Sequence, residues 1–92
     1  MTCRASISRL TRAAAGDRRK GLLAYCALAV GPYRIDGLCV RRTTRGKYVV
    51  SYPTRVDRDG HEHPYFLPES QEVRDALEER ILRAFWSEVG DG

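Results

Sequence analysis

Nine residues, Leu22–Val30 with the sequence LLAYCALAV, constrain the fold of this chain more than any other segment. Side chains in a strand alternate between two faces, and here both sets are apolar. Such a strand must be covered on both sides, either inside a sheet or at a subunit contact. Because a chain of 92 residues has room for one modest core, we expect this segment to be its central strand.

The same segment also has features of an export signal. The basic residues Arg18–Lys20 precede it, Ala27–Ala29 resembles a cleavage site, and the Arg18-Arg19 pair resembles a twin-arginine signal. A signal peptide normally begins near the N-terminus, whereas seventeen residues, many with strand character, precede Arg18. Cleavage would also remove the most apolar part of a small core, so we favour the strand.

Strand-like segments continue on both sides of this run. Apolar and β-branched residues alternate with polar ones, and turn residues such as Gly31-Pro32 separate the segments. The alternation changes phase at Gly37, which predicts a bulge or kink there. Residues 12–20 and 54–63 are predicted to be polar connections, the second with a turn at Asp59-Gly60. The predicted strands are Arg4–Thr11, Leu22–Val30, Tyr33–Arg42 and Lys47–Pro53, with a short last strand at Tyr65–Leu67.

A helical pattern begins after Ser70, which has the side chain of a good N-cap. Apolar residues then recur every three or four positions from Val73 to Val89, and Gly90 ends the pattern. On the outward side, charges of both signs alternate, and Glu79 is placed to pair with Arg83.

These segments together predict the α+β class in a single domain, residues 1–92. An antiparallel β-meander of four to five strands within residues 4–67 forms the sheet, and a helix over about residues 70–89 packs on it. No apolar run approaches the ~20 residues that cross a bilayer, so we expect no membrane span.

Basic and acidic residues are unevenly distributed along the chain. Residues 1–68 hold 13 Arg and Lys against 5 Asp and Glu, whereas residues 69–92 hold 3 against 7. A basic surface attracts polyanions such as nucleic acid, although scattered charge that only maintains solubility is the alternative. The candidate phosphate contacts form two groups, which need not share a face within one subunit because neighbouring turns of a meander lie at opposite ends. They are Arg41, Arg42, Arg45 and Lys47 in one turn, and Arg55 and Arg58 in the loop that follows.

The sequence contains no convincing active site. Cys3, Cys26 and Cys39 are widely spaced without a C-x-x-C pair, which argues against a disulfide framework or zinc knuckle and favours a reducing compartment, the cytoplasm.

His61 and His63 offer two metal ligands, but no further ligands are evidently placed to complete a set. Without a nucleophile elbow or a glycine-rich phosphate loop, we expect no catalytic residues, no metal and no cofactor. A small metal-assisted enzyme around the two histidines is the alternative.

The predicted helix carries a second apolar pair outside its main stripe. Leu82 and Trp86 are four residues apart and therefore lie on one side of the helix. They form either extra core contacts or a partner-facing surface. A protein-interaction module that acts through the C-terminal helix is accordingly an alternative function.

A series of motifs that follow one another along the chain resembles the SpoVG family of bacterial septation and gene-expression regulators. The likeness runs from ISRLTR through LLAYCALAV to the terminal helix, and its most specific part is GKYVVSYPTR, residues 46–55, followed by Asp59-Gly60 and His63-Pro64. The resemblance implies a homodimer that binds DNA, and in some members RNA, without enzymatic activity. Arg55 matches a basic position after the family's proline, which makes it the first candidate for phosphate contact. Val56 departs from the family, which usually has a second basic residue there.

Charge and resemblance together predict a homodimeric, cytoplasmic, DNA- or RNA-binding regulator of bacterial gene expression or cell division. A dimer is also expected because Leu22–Val30 is apolar on both sides in a chain too small to cover it well. The expected partners are nucleic acid and a second copy of the chain, with a protein at the C-terminal helix as a further candidate.

Overall fold

The computed structural model describes residues 5–89. Three positions used in the sequence predictions, Cys3, Arg4 and Gly90, lie outside the described residues. In chain order the elements are β1 (Ser6–Arg12), α1 (Ala15–Arg19), β2 (Leu22–Val30), β3 (Tyr33–Arg42), β4 (Tyr48–Ser51), β5 (Thr54–Val56), β6 (Glu62–Pro64) and α2 (Gln71–Ala84), and α2 continues into one π-helical turn, Phe85–Val89.

Strands β1 to β4 form one antiparallel sheet in the order β1-β2-β3-β4, which confirms the predicted meander. Strand β2 lies inside this sheet, between β1 and β3, as its apolar sequence predicted. Strands β5 and β6 pair with each other in a separate two-stranded sheet. The α+β class is therefore confirmed, with four strands in the main sheet.

The phase change predicted at Gly37 is a bulge in β3. Asp36 and Gly37 of β3 together oppose the single residue Ala27 of β2. Gly37 has a φ of +96°, and a Cβ atom there would lie 2.9 Å from the Cβ of Pro53. Both the positive φ and the close approach of Pro53 require glycine at this position.

Helix α2 covers one face of the main sheet and forms the core with it. Its first turn is capped as predicted, because the Ser70 hydroxyl accepts a hydrogen bond from the Val73 N–H at 3.2 Å. The free thiol of Cys26 is buried in the same core, and burial raises its pKa to about 11. The largest fully buried side chains are Leu28, Leu38 and Val40 from the sheet and Leu77, Ile81 and Phe85 from the helix and its last turn.

Tyr52, immediately after β4, ties helix α2 to the sheet. Its hydroxyl donates to Glu78 Oε2 at 2.7 Å, and Arg74 Nε donates to the same oxygen at 3.0 Å. Burial, followed by the hydrogen bond to Glu78, raises the pKa of Tyr52, so the hydroxyl keeps its proton. Further along α2, the predicted pair between Glu79 and Arg83 is also formed.

Three sequence predictions about the connections are wrong. The polar connection over residues 12–20 contains helix α1, the polar connection over residues 54–63 contains β5 and the first residues of β6, and Tyr65–Leu67 belong to no strand. The last strand is instead β6, which pairs with β5 around the turn at Asp59-Gly60. Strands β5 and β6 have three residues each, too few for the alternation of apolar and polar residues that reveals a strand.

The terminal helix has the predicted extent, although its last turn is π-helical. Within residues 5–89, no helix is long and apolar enough to cross a membrane.

Leu28 provides a test of this core. Replacing Leu28, which is fully buried, by Ala should lower the free energy of unfolding by about 2–5 kcal/mol, because the methyl groups lose their contacts and leave a cavity. Urea unfolding followed by circular dichroism measures the change. The matched control is Val56→Ala, whose side chain is exposed, and it should change stability by less than about 0.5 kcal/mol. Equal losses in both variants would contradict the assigned core.

Candidate nucleic-acid interface

The connection between β1 and β2 meets the turn between β3 and β4 at one end of the main sheet. The backbone N–H of Arg42 donates to the Gly21 carbonyl at 2.7 Å, and the Arg42 side chain donates to the Arg18 carbonyl at 3.3 Å. Both connections are rich in cations. We call this cluster the basic end, and its members are Arg12, Arg18, Arg19, Lys20, Arg41, Arg42, Arg45 and Lys47.

The charges of the basic end are almost all of one sign. Residues 12–20 and 41–47 contain eight Arg and Lys against one acidic residue, Asp17. Seven of the eight cations are exposed; the eighth, Arg18, is half-buried and donates to the Ala13 carbonyl at 3.2 Å. Within the described part of the chain, none of the eight forms an ion pair. This end of the sheet therefore carries a positive charge that the chain's own carboxylates do not neutralise.

A hollow of about 320 Å³ lies between the two connections of the basic end. Cationic side chains and threonine hydroxyls surround it, and both can donate hydrogen bonds to anionic oxygens. The residues that line it are Arg19, Lys20, Gly21, Arg42, Thr43 and Thr44. The hollow is therefore suited to an anionic group such as a phosphate.

Gly21 allows the two connections to approach each other. Its φ is +100°, and a Cβ atom there would lie only 2.6 Å from the backbone oxygen of Arg42. The opposite turn is held by Thr43, whose hydroxyl accepts the Lys47 N–H at 3.1 Å and whose own N–H donates to the Lys47 carbonyl at 2.8 Å. Local backbone geometry thus positions the cations on both sides.

The six predicted phosphate contacts are divided between two parts of the molecule. Arg41, Arg42, Arg45 and Lys47 lie in the basic end, and Arg41 Nε also donates to Ser51 Oγ at 3.2 Å. Arg55 and Arg58 are exposed on the β5–β6 hairpin, which follows the other end of β4. The two groups therefore belong to different sheets, as the sequence allowed.

Arg18–Lys20 are not among the binding residues that the sequence predicts. The sequence pattern places them only in a polar turn or an export signal. In a meander, alternate connections lie at the same end of the sheet, and this rule was the available signal that they would join the β3–β4 turn.

The β5–β6 hairpin is organised by one carboxylate. Asp57 Oδ1 accepts the backbone N–H groups of Asp59 and His61, both at 2.9 Å, and Asp57 Oδ2 lies 2.6 Å from His63 Nε2. The hydrogen bond to His63, followed by the bond from the His61 N–H, lowers the pKa of Asp57. Side-chain ligand atoms of Asp57, Asp59 and His61 lie within 4.8 Å of one another, a spacing suited to a metal ion. Both carboxylate oxygens of Asp57 are already engaged, one by the turn N–H groups and one by His63. We therefore keep the prediction that no metal binds here.

The two residues predicted to face a protein partner differ in exposure. Leu82 packs against the core, whereas the Trp86 side chain is 44% exposed. The Trp86 ring meets the Tyr48 ring edge-on, with centroids 4.8 Å apart. Of these two residues, only Trp86 therefore offers an exposed apolar surface.

Comparison with models of known protein families, with curated proteins and with solved structures finds no match for this chain. The resemblance to the SpoVG family therefore rests on the series of sequence motifs from ISRLTR to the terminal helix. The site itself is defined by the geometry and charge of the basic end.

Gly21 tests how the basic end is held together. Gly21→Ala should lower the free energy of unfolding by at least about 1–3 kcal/mol, because a side chain disfavours the positive φ and collides with the Arg42 oxygen. Gly16→Ala, in α1, is the control: a Cβ atom there meets nothing within 4 Å, and stability should be unchanged or slightly higher. Chemical denaturation measures both, and an unaffected Gly21→Ala protein would contradict the described contact.

The lowered pKa of Asp57 predicts a local response of the β5–β6 hairpin to acid. The folded-state pKa of Asp57 lies below the ordinary 3.8, so its bonds are present above that value and are lost as the pH falls through the lowered pKa. The amide proton shifts of Asp59 and His61, followed by NMR, should therefore titrate together with a midpoint below 3.8. The response should disappear in Asp57→Asn and persist in Asp59→Asn. A midpoint at or above the ordinary value would contradict the assigned hydrogen bonds.

Proposed function

We propose that this protein binds nucleic acid at the basic end, through contacts of arginine and lysine side chains with phosphates. The observation that carries the proposal is the charge of this end: eight cations accompany one carboxylate, and none of the eight is ion-paired within residues 5–89. A polyphosphate chain supplies the negative charge that this surface lacks.

The chemistry of the cations supports phosphate as the ligand. Six of the eight are arginines, whose guanidinium groups stay charged and donate two parallel hydrogen bonds to phosphate oxygens. Surface charge that only maintains solubility mixes both signs, as on α2, where Arg83 pairs with Glu79. The basic end has one sign and exposed side chains, which favours a polyanionic partner.

The resemblance to the SpoVG family supports the biological class in this proposal. That class is a homodimeric, cytoplasmic regulator of bacterial gene expression or cell division that binds DNA or RNA. Two copies would bring two basic ends to one nucleic-acid chain and raise its affinity through effective concentration. On the second face of β2, Ala27 is only 4% exposed in the single chain, so this residue needs no second copy to cover it. The dimer therefore rests on the resemblance, and light scattering at micromolar concentration tests it.

Salt dependence tests the proposed function. If about six phosphates are neutralised, the logarithm of the binding constant for a short random duplex should fall against the logarithm of salt concentration with a slope near −5. Arg45→Ala should weaken binding to every sequence and reduce that slope by about 1 for each contact removed. Gel shifts over a series of salt concentrations measure both quantities.

Two control variants locate the contacts. Arg83→Ala removes the same charge from an exposed side chain that is already paired with Glu79, so its slope should equal that of the unmodified protein. Arg55→Ala tests whether the hairpin, the first candidate from the resemblance, also contacts phosphate. Affinity that does not change with salt concentration would contradict binding at the basic end. An equal reduction of the slope by Arg83→Ala and by Arg45→Ala would contradict it as well.

A second candidate function, a protein-interaction module, is favoured by the exposed Trp86 ring. Leu82 contributes little to such a surface, since it packs against the core. Affinity purification from a nuclease-treated lysate separates the two functions. A protein partner that stays bound after digestion and is lost in Trp86→Ala favours the module, whereas loss of all partners on digestion favours nucleic-acid binding.

A further inference from the structure

The main sheet has a second face, opposite α2, whose centre carries an exposed aromatic ring. In an antiparallel sheet, residues that are directly paired lie on the same face. The pairing therefore places four side chains in one row across this face, and Tyr25 in the row is 45% exposed. The row consists of Thr11, Tyr25, Cys39 and Ser51, one from each strand. We call this surface the open face.

A shallow hollow of about 240 Å³ lies beside Tyr25. Ala27 and Gly37 contribute little or no side chain to it, while Arg9 and Thr11 border it on β1. No other aromatic ring in residues 5–89 packs against Tyr25. A planar ring of another molecule therefore has space to stack on it.

The charge of the open face is positive and continues into the basic end. Arg41 pairs with Leu22 and Val49, in the row between Tyr25 and the β3–β4 turn. On the other side of Tyr25, Arg9 occupies the row of Ala27. Positive charge therefore lies on both sides of the exposed ring.

A third arginine, Arg34, occupies the row of Ala29 and pairs with Asp36 at 3.2 Å. Asp36 is at the β3 bulge and is the one acidic residue that the described strands of the main sheet contribute. The three arginines and one aspartate leave this surface with a net positive charge.

We propose that a single-stranded nucleic acid lies across the open face, with one base stacked on Tyr25 and the neighbouring phosphates at Arg41 and Arg9. This inference rests on the proposed function and specifies its ligand. A duplex hides the planes of its bases inside the stack, so only an unpaired base can lie on a tyrosine ring. Aromatic side chains within positively charged grooves are the usual means of binding single strands without strong sequence preference.

Charge complementarity favours nucleic acid over a second copy of the chain at this surface. Two open faces in contact would bring like-charged sets of arginines together, which is unfavourable when the charges are partly desolvated. The large apolar side chains exposed there are few, Tyr25 and the marginally exposed Val49. A polyanion with stacked rings matches both the charge and the aromatic group.

The test compares two single strands that carry the same phosphates. One is an oligothymidine of about twelve nucleotides, and the other is an abasic strand of the same length. The unmodified protein should bind oligothymidine about 5- to 150-fold more tightly than the abasic strand, because only the first can stack. An oligouridine arm measures whether the same preference holds for RNA.

Substitutions at Tyr25 assign the preference to this ring. Tyr25→Ala should bind oligothymidine no more tightly than the abasic strand, while its unchanged binding to the abasic strand shows that the protein is folded. Tyr25→Phe keeps the aromatic plane and should retain the preference. Tyr33→Ala removes a still more exposed tyrosine, which pairs with Val30 outside the open face, and should behave like the unmodified protein.

Three results would overturn the inference. One is equal binding of the two strands by the unmodified protein, and another is an equal loss for both strands in a folded Tyr25→Ala protein. The third is a dimer that becomes monomeric in Tyr25→Ala, which would assign the open face to a second copy. Failure to bind either strand while a duplex is bound would overturn this inference alone, whereas failure to bind the strands and a duplex in dilute buffer would overturn the proposed function as well.

Discussion

The hydrogen bond from the Arg42 N–H to the Gly21 carbonyl, 2.7 Å long, is the contact on which the basic end depends. It joins two connections that both carry positive charge and would otherwise repel each other. The packing of the buried sheet holds the two connections together against this repulsion. Gly21 has no side chain, which allows the two backbones to approach closely. A bound polyanion would relieve the repulsion, so the same geometry that concentrates the charge also favours binding.

The two faces of the main sheet have different roles because the chain is small. Helix α2 covers one face and buries large side chains such as Leu28 and Leu38 there. The chain has no second long helix for the other face within residues 5–89, and that face carries short or polar residues around Tyr25. Exposure of the open face to water therefore costs little free energy, because few apolar side chains lie on it. The face remains available to a ligand that combines negative charge with planar rings.

The main elements could be predicted because their local signals are strong. Leu22–Val30 is apolar on both faces, and Ser70 precedes a long run with helical spacing, so both elements have nearly their predicted bounds. The site was predicted only in part, because the approach of Arg18–Lys20 to Arg42 depends on sheet topology and on backbone contacts between distant residues. The β5–β6 hairpin was missed because its strands are very short and a single carboxylate, Asp57, organises the turn between them. Composition revealed the positive charge, but only the fold shows which cations share a surface.

The central claim is that cations from two distant segments form one nucleic-acid surface that continues onto the open face. An NMR titration of the isotope-labelled protein with a short single strand, in dilute buffer, tests it most directly by mapping the amide shifts along the chain. Our account predicts that the shifts concentrate in residues 12–21, in residues 41–47 and around Tyr25, and that they leave the outer side of α2 unchanged. Shifts confined to α2 or to the β5–β6 hairpin would contradict it.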